Sequence, residues 1–275
     1  MRYKFLYSAA IEKYRQAFTL DPLYEGAYGG WGYSLCELEQ YGGDVHVQQE
    51  YIGNTPQFAA LYNGWGFALY GRKRYRAAVE KYQLAIDLDP NKPLYRYNMA
   101  GSFRELDDYV QAITAYQETN RLDPSYESVY RSWGYALGEL EHGGTDIKSC
   151  EKHVGNTPQF ADLYHSWGVV LHKNSRYIAA IEKYRQAINL DSSYKDAYTS
   201  WGHALCELEQ LGEEVEAEKE YIGNTPQFAN LYNGWGIVLH NKKRYEAAIE
   251  KYRQAIAQEP NKPQSKKKIA QYLRA

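Results

Sequence analysis

The sequence has few cysteines, no long apolar run and little net charge. Its three cysteines, Cys36, Cys150 and Cys206, stand in no CxxC or other metal-binding spacing. An odd and sparse set suits a reducing compartment better than a disulfide scaffold, so we expect a cytoplasmic protein. No run of about 18 apolar residues is present, which predicts no membrane insertion. The formal net charge of −2 provides no strong attraction to nucleic acid, and we expect no nucleic-acid partner.

Motifs of catalysis are missing as well. The sequence contains no GxGxxG or GxxxxGK[ST] frame for a phosphate group, no Ser/His/Asp order and no paired carboxylates that stand out from solvated helix faces. We therefore predict no enzyme, no catalytic residue, no cofactor and no metal site.

What the sequence does contain is a strict internal period. The string EYIGNTPQFA occurs at residues 50–59 and again at 220–229, and the close copy KHVGNTPQFA occupies 152–161. These separations of 170 and 102 residues are five and three times 34. All six tryptophans keep the same phase, in Trp-Gly pairs that begin at Trp31, Trp65, Trp133, Trp167, Trp201 and Trp235. A period of this size is typical of a solenoid of stacked repeats.

Each period predicts two amphipathic helices separated by a short polar turn. In one copy the apolar residues Leu61, Trp65, Ala68 and Leu69 have helical spacing, and so do Tyr75, Ala78, Tyr82 and Ala85 after the turn GRKR. Pro90 and Pro93 then separate this copy from the next. The pattern resembles the tetratricopeptide repeat (TPR) family over essentially the whole chain. The resemblance implies an all-α solenoid of antiparallel helix pairs, coiled as a right-handed superhelix.

The phase divides the chain, which we expect to form a single solenoid domain over 1–275. The predicted full repeats are 25–58, 59–92, 93–126, 127–160, 161–194, 195–228 and 229–262. Residues 1–24 have the pattern of a second helix only, and 263–275 that of a polar C-terminal capping helix with Ile269, Ala270 and Leu273 inward and Lys266, Lys267 and Lys268 outward. Most of the 29 tyrosines recur in three slots, which indicates a role in packing.

Three repeats, 25–58, 127–160 and 195–228, are variants that carry the GNTPQF string. Their second helix is expected to be short, to begin near Asp44, Asp146 or Glu214, and to run from about 44 to 52 in the first copy. Gly53 would end that helix, and Thr55-Pro56 would cap and begin the next one. We interpret the string as a joint between helices.

The resemblance places the functional surface on the concave groove, which is lined by first-helix side chains. The candidate partner-binding residues are Asn63, Phe67, Tyr70, Tyr97, Asn98, Arg104, Arg131, Tyr135, His165, Val169, His172, Thr199, His203, Asn233, Ile237 and His240. Small residues between them, such as Gly30, Gly64, Ser132, Ser166, Ser200 and Gly234, would leave room for a guest backbone. The histidines are compatible with neutral hydrogen-bonding groups or with a metal site, although no carboxylate or cysteine completes a ligand set at fixed spacing.

These observations favour a protein–protein interaction scaffold that captures a peptide or a partner helix in the groove. One alternative is a self-assembling module, because Phe5, Leu6, Tyr7 and Ile11 lack a first helix to cover them and could join a second copy. Another is a regulatory, partner-binding segment of a larger enzyme, since the missing first helix is also compatible with truncation.

Overall fold

A computed structural model describes residues 2–145, 147–212, 215 and 220–260. The described elements are helices, with no strand among those residues. In chain order they are α1 (Arg2–Leu20), α2 (Glu25–Gln40), α3 (His46–Gln49), a 3₁₀ turn (Pro56–Phe58), α4 (Ala59–Gly71), α5 (Tyr75–Leu88), α6 (Pro93–Glu105), α7 (Tyr109–Leu122), α8 (Ser128–His142), α9 (Lys148–Glu151), α10 (Phe160–Lys173), α11 (Tyr177–Leu190), α12 (Lys195–Leu211), α13 (Phe228–Asn241) and α14 (Tyr245–Gln258). The all-α fold that the period predicts is confirmed.

The chain forms two compact units, which we call unit 1 (up to Val129) and unit 2 (from Tyr130). Each unit has its own core of buried aromatic and aliphatic side chains, in which the six tryptophans are almost fully buried. The division into seven repeats within one domain stays a prediction.

Ordinary helix pairs such as α4 and α5 pack through a glycine and a tyrosine. A Cβ atom added to Gly66 of α4 would lie 2.7 Å from the ring of Tyr82 of α5, and Tyr82 is almost completely buried. Gly168 meets Tyr184, and Gly236 meets Tyr252, at 2.6 Å in the same way. Because glycine has no Cβ atom, it leaves room for the buried tyrosine ring, which explains why both residues recur.

The turn between the helices of a pair has a left-handed residue that is not glycine. Lys73 has φ +60°, and Asp107, Ser175 and Lys243 are equivalent. The Arg74 N–H donates to the Leu69 carbonyl and the Lys73 N–H to the Tyr70 carbonyl, as in a Schellman motif.

We expect Lys73→Gly to stabilise the protein by about 0.5–1 kcal/mol, because glycine relieves left-handed strain but has greater freedom in the unfolded chain. Thermal unfolding would measure the change. Lys73→Ala is the control, since it removes the side chain and keeps the strained φ angle. Equal melting temperatures of the two variants would contradict this explanation.

Variant repeats pack in a different way. A Cβ atom on Gly32 of α2 would lie 1.9 Å from the Leu61 carbonyl oxygen of α4, the first helix of the following repeat. Gly134 and Gly202 meet the carbonyls of Leu163 and Leu231 at 2.1 and 2.0 Å. Successive first helices are thus in backbone contact where the second helix is short.

The phenylalanine of the GNTPQF string is the centre of each joint. Phe58 is buried and packs edge-on against Tyr28 and Trp31, with ring centroids 5.2 and 6.1 Å apart. Phe160 and Phe228 make the same pair of contacts in their own repeats. The tyrosine two residues before the string contacts an arginine from the helix that precedes the variant repeat. Arg15 of α1 lies 3.4 Å from the Tyr51 ring centroid, and Arg185 of α11 lies 3.3 Å from that of Tyr221.

The joint corrects part of the sequence interpretation. The short helix α3 ends at Gln49, so Gly53 does not end it; a Cβ atom there would lie 2.8 Å from the Phe58 ring, and the glycine makes room for that ring. Thr55 occupies the cap position with Pro56 after it, but its side chain makes no capping hydrogen bond. Asp44 accepts a hydrogen bond from the His46 N–H at 2.9 Å, as a residue that begins a short helix would.

Several predicted features lie outside the described residues. They are Asp146, Glu214 and the C-terminal helix 263–275 with Lys266, Lys267, Lys268, Ile269, Ala270 and Leu273. No helix in the described part of the chain is both long enough and apolar enough to cross a membrane.

The predicted apolar face of α1 is only partly uncovered. Phe5 is 74% exposed and Leu6 is half exposed, as expected, whereas Ile11 is fully buried against α2 and its neighbours. Tyr7 stacks on Tyr41, with ring centroids 5.8 Å apart. Helix α2 therefore covers one side of α1, which the missing first helix had not suggested.

Candidate functional site

Six predicted residues of unit 1 form one continuous surface. Five of them, Phe67, Tyr70, Tyr97, Asn98 and Arg104, line a cleft of about 160 Å³ together with Tyr82, Gly101 and Tyr116. Asn63 joins this surface because its side-chain oxygen accepts a 2.8 Å hydrogen bond from the Asn98 amide nitrogen. Parallel packing of α4 and α6 brings equivalent residues about one repeat apart into contact. We call this surface the aromatic cleft.

The aromatic cleft contains one half-buried cation. Arg104 lies 3.0 Å from Glu105, whose carboxylate also accepts from the Tyr70 hydroxyl at 3.4 Å. Burial opposes the charge of Arg104, but the hydrogen bond to Glu105 and the nearby tyrosine hydroxyls raise its pKa above the ordinary value. Burial also raises the pKa of Tyr70. The cleft therefore offers apolar rings beside a permanently charged guanidinium group.

In unit 2 the predicted residues lie in a polar network, which we call the histidine network. His165 Nε2 is 3.0 Å from the Ser200 hydroxyl, and His165 Nδ1 is 3.4 Å from the Tyr194 hydroxyl. The Tyr194 hydroxyl donates to Asp162 at 2.7 Å, and Arg131 forms an ion pair with Asp162.

The second part of the network surrounds His172. The Tyr184 hydroxyl lies 3.4 Å from His172 Nδ1, and the His172 ring packs edge-on against Tyr177. Burial lowers the pKa of His165, His172 and His203, so these rings are uncharged at neutral pH.

The remaining predicted residues of unit 2 are partly exposed. Val169, Thr199, Asn233, Ile237 and His240 are half-buried, and Tyr135 is 38% exposed. Thr199 donates to the Lys195 carbonyl of its own helix, and His240 packs on the Tyr245 ring.

The sequence interpretation missed Asp162 and Tyr194 as members of this surface. A usable signal was present for Asp162, which stands three residues before His165 and thus on the same face of α10. No comparable signal marks Tyr194, because it precedes α12 and reaches Asp162 and His165 only through folding.

The small residues between the candidates have another role than the predicted one. A Cβ atom on Gly64 would lie 2.3 Å from the Gly29 carbonyl oxygen, and one on Gly234 would lie 2.5 Å from that of Thr199. Gly30 meets the Tyr14 ring at 2.5 Å, and Ser132 and Ser166 are buried. The prediction that they leave room for a guest backbone was wrong, because the neighbouring helix already fills that space.

A larger cleft has none of the predicted residues in its lining. It measures about 570 Å³ and is lined by the first turns of α11 and by Leu208 of α12. Its charged lining residues Arg176 and Glu182 are engaged with Glu141 and Arg185.

Two of the three cysteines are buried. Burial raises the pKa of the Cys36 and Cys206 thiols to about 11, which makes them unreactive at neutral pH. No cluster of three or more histidine, cysteine, aspartate or glutamate side chains in the described part of the chain could hold a metal ion.

Stacked antiparallel helix pairs with a periodic aromatic core define a helical-repeat protein. Residues 63–127 and 229–262 match two models of the tetratricopeptide repeat. These two stretches have the character of tetratricopeptide repeats, as the 34-residue period predicts. Proteins of this kind are generally non-catalytic scaffolds that bind protein partners, and the fold supports an interaction scaffold here.

Several solved structures are similar. A crystal structure of MamA protein shares 21% identity, with 68% of this chain and 95% of that chain covered and a TM-score of 0.40. The APC/C hetero-tetramer Cut9-Hcn1 shares 19% identity (95% and 51% covered, TM-score 0.37), and TTC0263, a thermophilic TPR protein in Thermus thermophilus, shares 18% (79% and 100% covered, TM-score 0.34). No match was found among curated proteins.

Proposed function

We propose that this protein is an interaction scaffold that captures an extended peptide or a partner helix on the inner face of its repeats, with the aromatic cleft as the anchoring site. The observation that supports the proposal is the convergence of Asn63, Phe67, Tyr70, Tyr97, Asn98 and Arg104 on one surface. Tyrosine and arginine are among the residues most enriched where truncation costs the most binding energy.

The cleft has the size and chemistry for one partner side chain. Its volume of about 160 Å³ suits a single large apolar group. Phe67 is 62% exposed although it lies among other aromatic rings, so a guest would cover apolar surface that now faces water. The Asn98–Asn63 hydrogen bond uses one polar group of each side chain, and a guest peptide group could pair with the Asn98 oxygen and the Asn63 amide nitrogen.

We expect Phe67→Ala/Tyr97→Ala to lose the bound partner in a pull-down with the full chain from the native cell. Removal of two rings would weaken binding by about 100-fold, or roughly 3 kcal/mol. Phe5→Ala is the control, because it removes an exposed ring outside the cleft. Circular dichroism would confirm that both variants fold.

Retention of the same partners by the double variant would contradict groove binding. If Phe5→Ala abolishes the binding seen with the wild-type protein, the result would instead favour the second candidate, self-assembly through α1. That alternative is supported by the exposed Phe5 and Leu6, and light scattering at high concentration tests it. A monomer under those conditions would contradict it.

The further expectations from the sequence remain proposals. The protein is proposed to work in the cytoplasm, in line with the small and odd number of cysteines in its sequence. A role as the regulatory, partner-binding segment of a larger enzyme is compatible with the same groove.

A further inference from the structure

The hydrogen bonds of the histidine network assign the protons of His165. The single Tyr194 hydroxyl proton is donated to Asp162, so the Tyr194 oxygen can only accept from His165 Nδ1. In the neutral ring Nε2 is then an acceptor, and the Ser200 hydroxyl donates to it. The Tyr184 hydroxyl of α11 lies 3.4 Å from His172 Nδ1 of α10. Neutral histidines therefore connect α10, α11 and α12 through side chains.

His203 is the histidine of this network whose ring lacks a hydrogen-bond partner at one nitrogen among the residues that the structure describes. Its Nε2 atom is buried and makes no hydrogen bond within the described part of the chain. The ring lies close enough to His172 for the two to repel each other when charged. Because this ring nitrogen is buried without a hydrogen-bond partner in that part of the chain, a positive charge on His203 or beside it is energetically costly.

The surrounding charges only partly compensate for the burial of the three histidine rings. Asp162 on the same helix and Asp196 on α12 favour a charged His165, while Arg131 on α8 opposes it. Glu207 on α12 favours charge on both His172 and His203. Burial outweighs these carboxylates at all three rings, which stay neutral where an exposed histidine would already be protonated.

We infer that the inner face of unit 2 is an acid-sensitive device, in which proton uptake by His165, His172 and His203 disrupts the neutral hydrogen-bonded arrangement that connects α10, α11 and α12. Protonation turns His165 Nε2 into a donor, so the Ser200 hydroxyl can no longer donate to it and must reorient to accept. Charged His172 and His203 repel each other across α10 and α12. The groove loosens as a result.

The sign of the effect follows from linkage. The folded-state pKa values lie below the ordinary histidine value of 6.5, so the unfolded chain binds more protons below that pH. The folded state has its full stability with respect to these three histidines above about pH 6.5, and it loses stability as the pH falls toward their folded-state pKa values. Each unit of pKa difference lowers the folding equilibrium constant by about tenfold.

Urea unfolding of the full chain between pH 7.5 and 5.5, where carboxylates stay charged, tests this inference. We expect the wild-type folding constant to fall by about tenfold or more and that of His172→Gln/His203→Gln to fall less. His142→Gln/His153→Gln is the matched control, because both of its histidines are exposed in unit 2; its loss should equal that of the wild type.

Equal losses for all three proteins would overturn the inference. If His172→Gln/His203→Gln does not fold, NMR titration of the wild-type histidines decides, and ordinary pKa values for all three rings would overturn it. The experiments use the free protein, so their outcome is independent of whether the aromatic cleft binds a partner.

Discussion

Replacement of Gly32 by alanine is expected to destabilise the protein by about 3 kcal/mol, the upper end of the usual cost of overpacking. The added Cβ atom would lie 1.9 Å from the Leu61 carbonyl oxygen and 2.8 Å from the Trp65 amide nitrogen. Both atoms belong to the backbone of α4, so no side-chain rotation can relieve the clash. The two helices would have to move apart, and the contacts of Phe58 with α2 would loosen with them.

Gly71→Ala is the matched control, since Gly71 is in α4 and a Cβ atom there meets nothing within 4 Å. Alanine is the better helix former, and we expect a gain of up to about 1 kcal/mol. Urea unfolding followed by circular dichroism measures both changes. Similar midpoints for the two variants would show that α2 and α4 are not in backbone contact.

Replacement of Phe58 by alanine is expected to cost about 3–5 kcal/mol, as for other large aromatic residues in a core. Phe58 is 5% exposed and provides the edge contacts with Tyr28 and Trp31 where the variant repeat has only a four-residue second helix. Without this ring, the space between α2 and α4 would be left as a cavity.

Two substitutions refine this prediction. Phe58→Leu keeps most of the volume and loses the aromatic geometry, so we expect a smaller cost of about 1 kcal/mol. Phe67→Ala, nine residues along the chain, removes an exposed ring and is expected to cost less than about 1 kcal/mol. A Phe58→Ala midpoint as high as that of Phe67→Ala would contradict the role of the joint.

The sequence predicted the repeat period and the packing role of the recurring aromatic residues, because each depends on local pattern. Trp65 and Gly66, for example, recur in phase with the helical spacing of Leu61 and Leu69. The three GNTPQF strings were recognised as joints for the same reason. The packing role of the phenylalanine in each string, Phe58 in the first, was not recognised, because the sequence alone does not reveal what an aromatic residue after a proline will pack against.

Contacts between repeats could not be predicted from pattern. Gly32 and Gly66 occupy the same slot, yet one meets a backbone carbonyl of the next first helix and the other meets a tyrosine ring of its own second helix. The difference arises because the short second helix of the variant repeat brings α2 and α4 together. Gly64 was taken as free space for a guest, although packing against Gly29 had already filled it.

The sequence by itself determined that the chain is a stack of 34-residue helix pairs, because hydrophobic period and turn residues act over neighbouring positions. Only the tertiary structure decided that Asn63 pairs with Asn98 and that the Tyr194 hydroxyl contacts Asp162 and His165. It also decided that the phenylalanine of the string EYIGNTPQFA packs against α2. Those contacts join residues roughly one repeat apart, and the distance between them is set by how closely the helices pack, which no local pattern records.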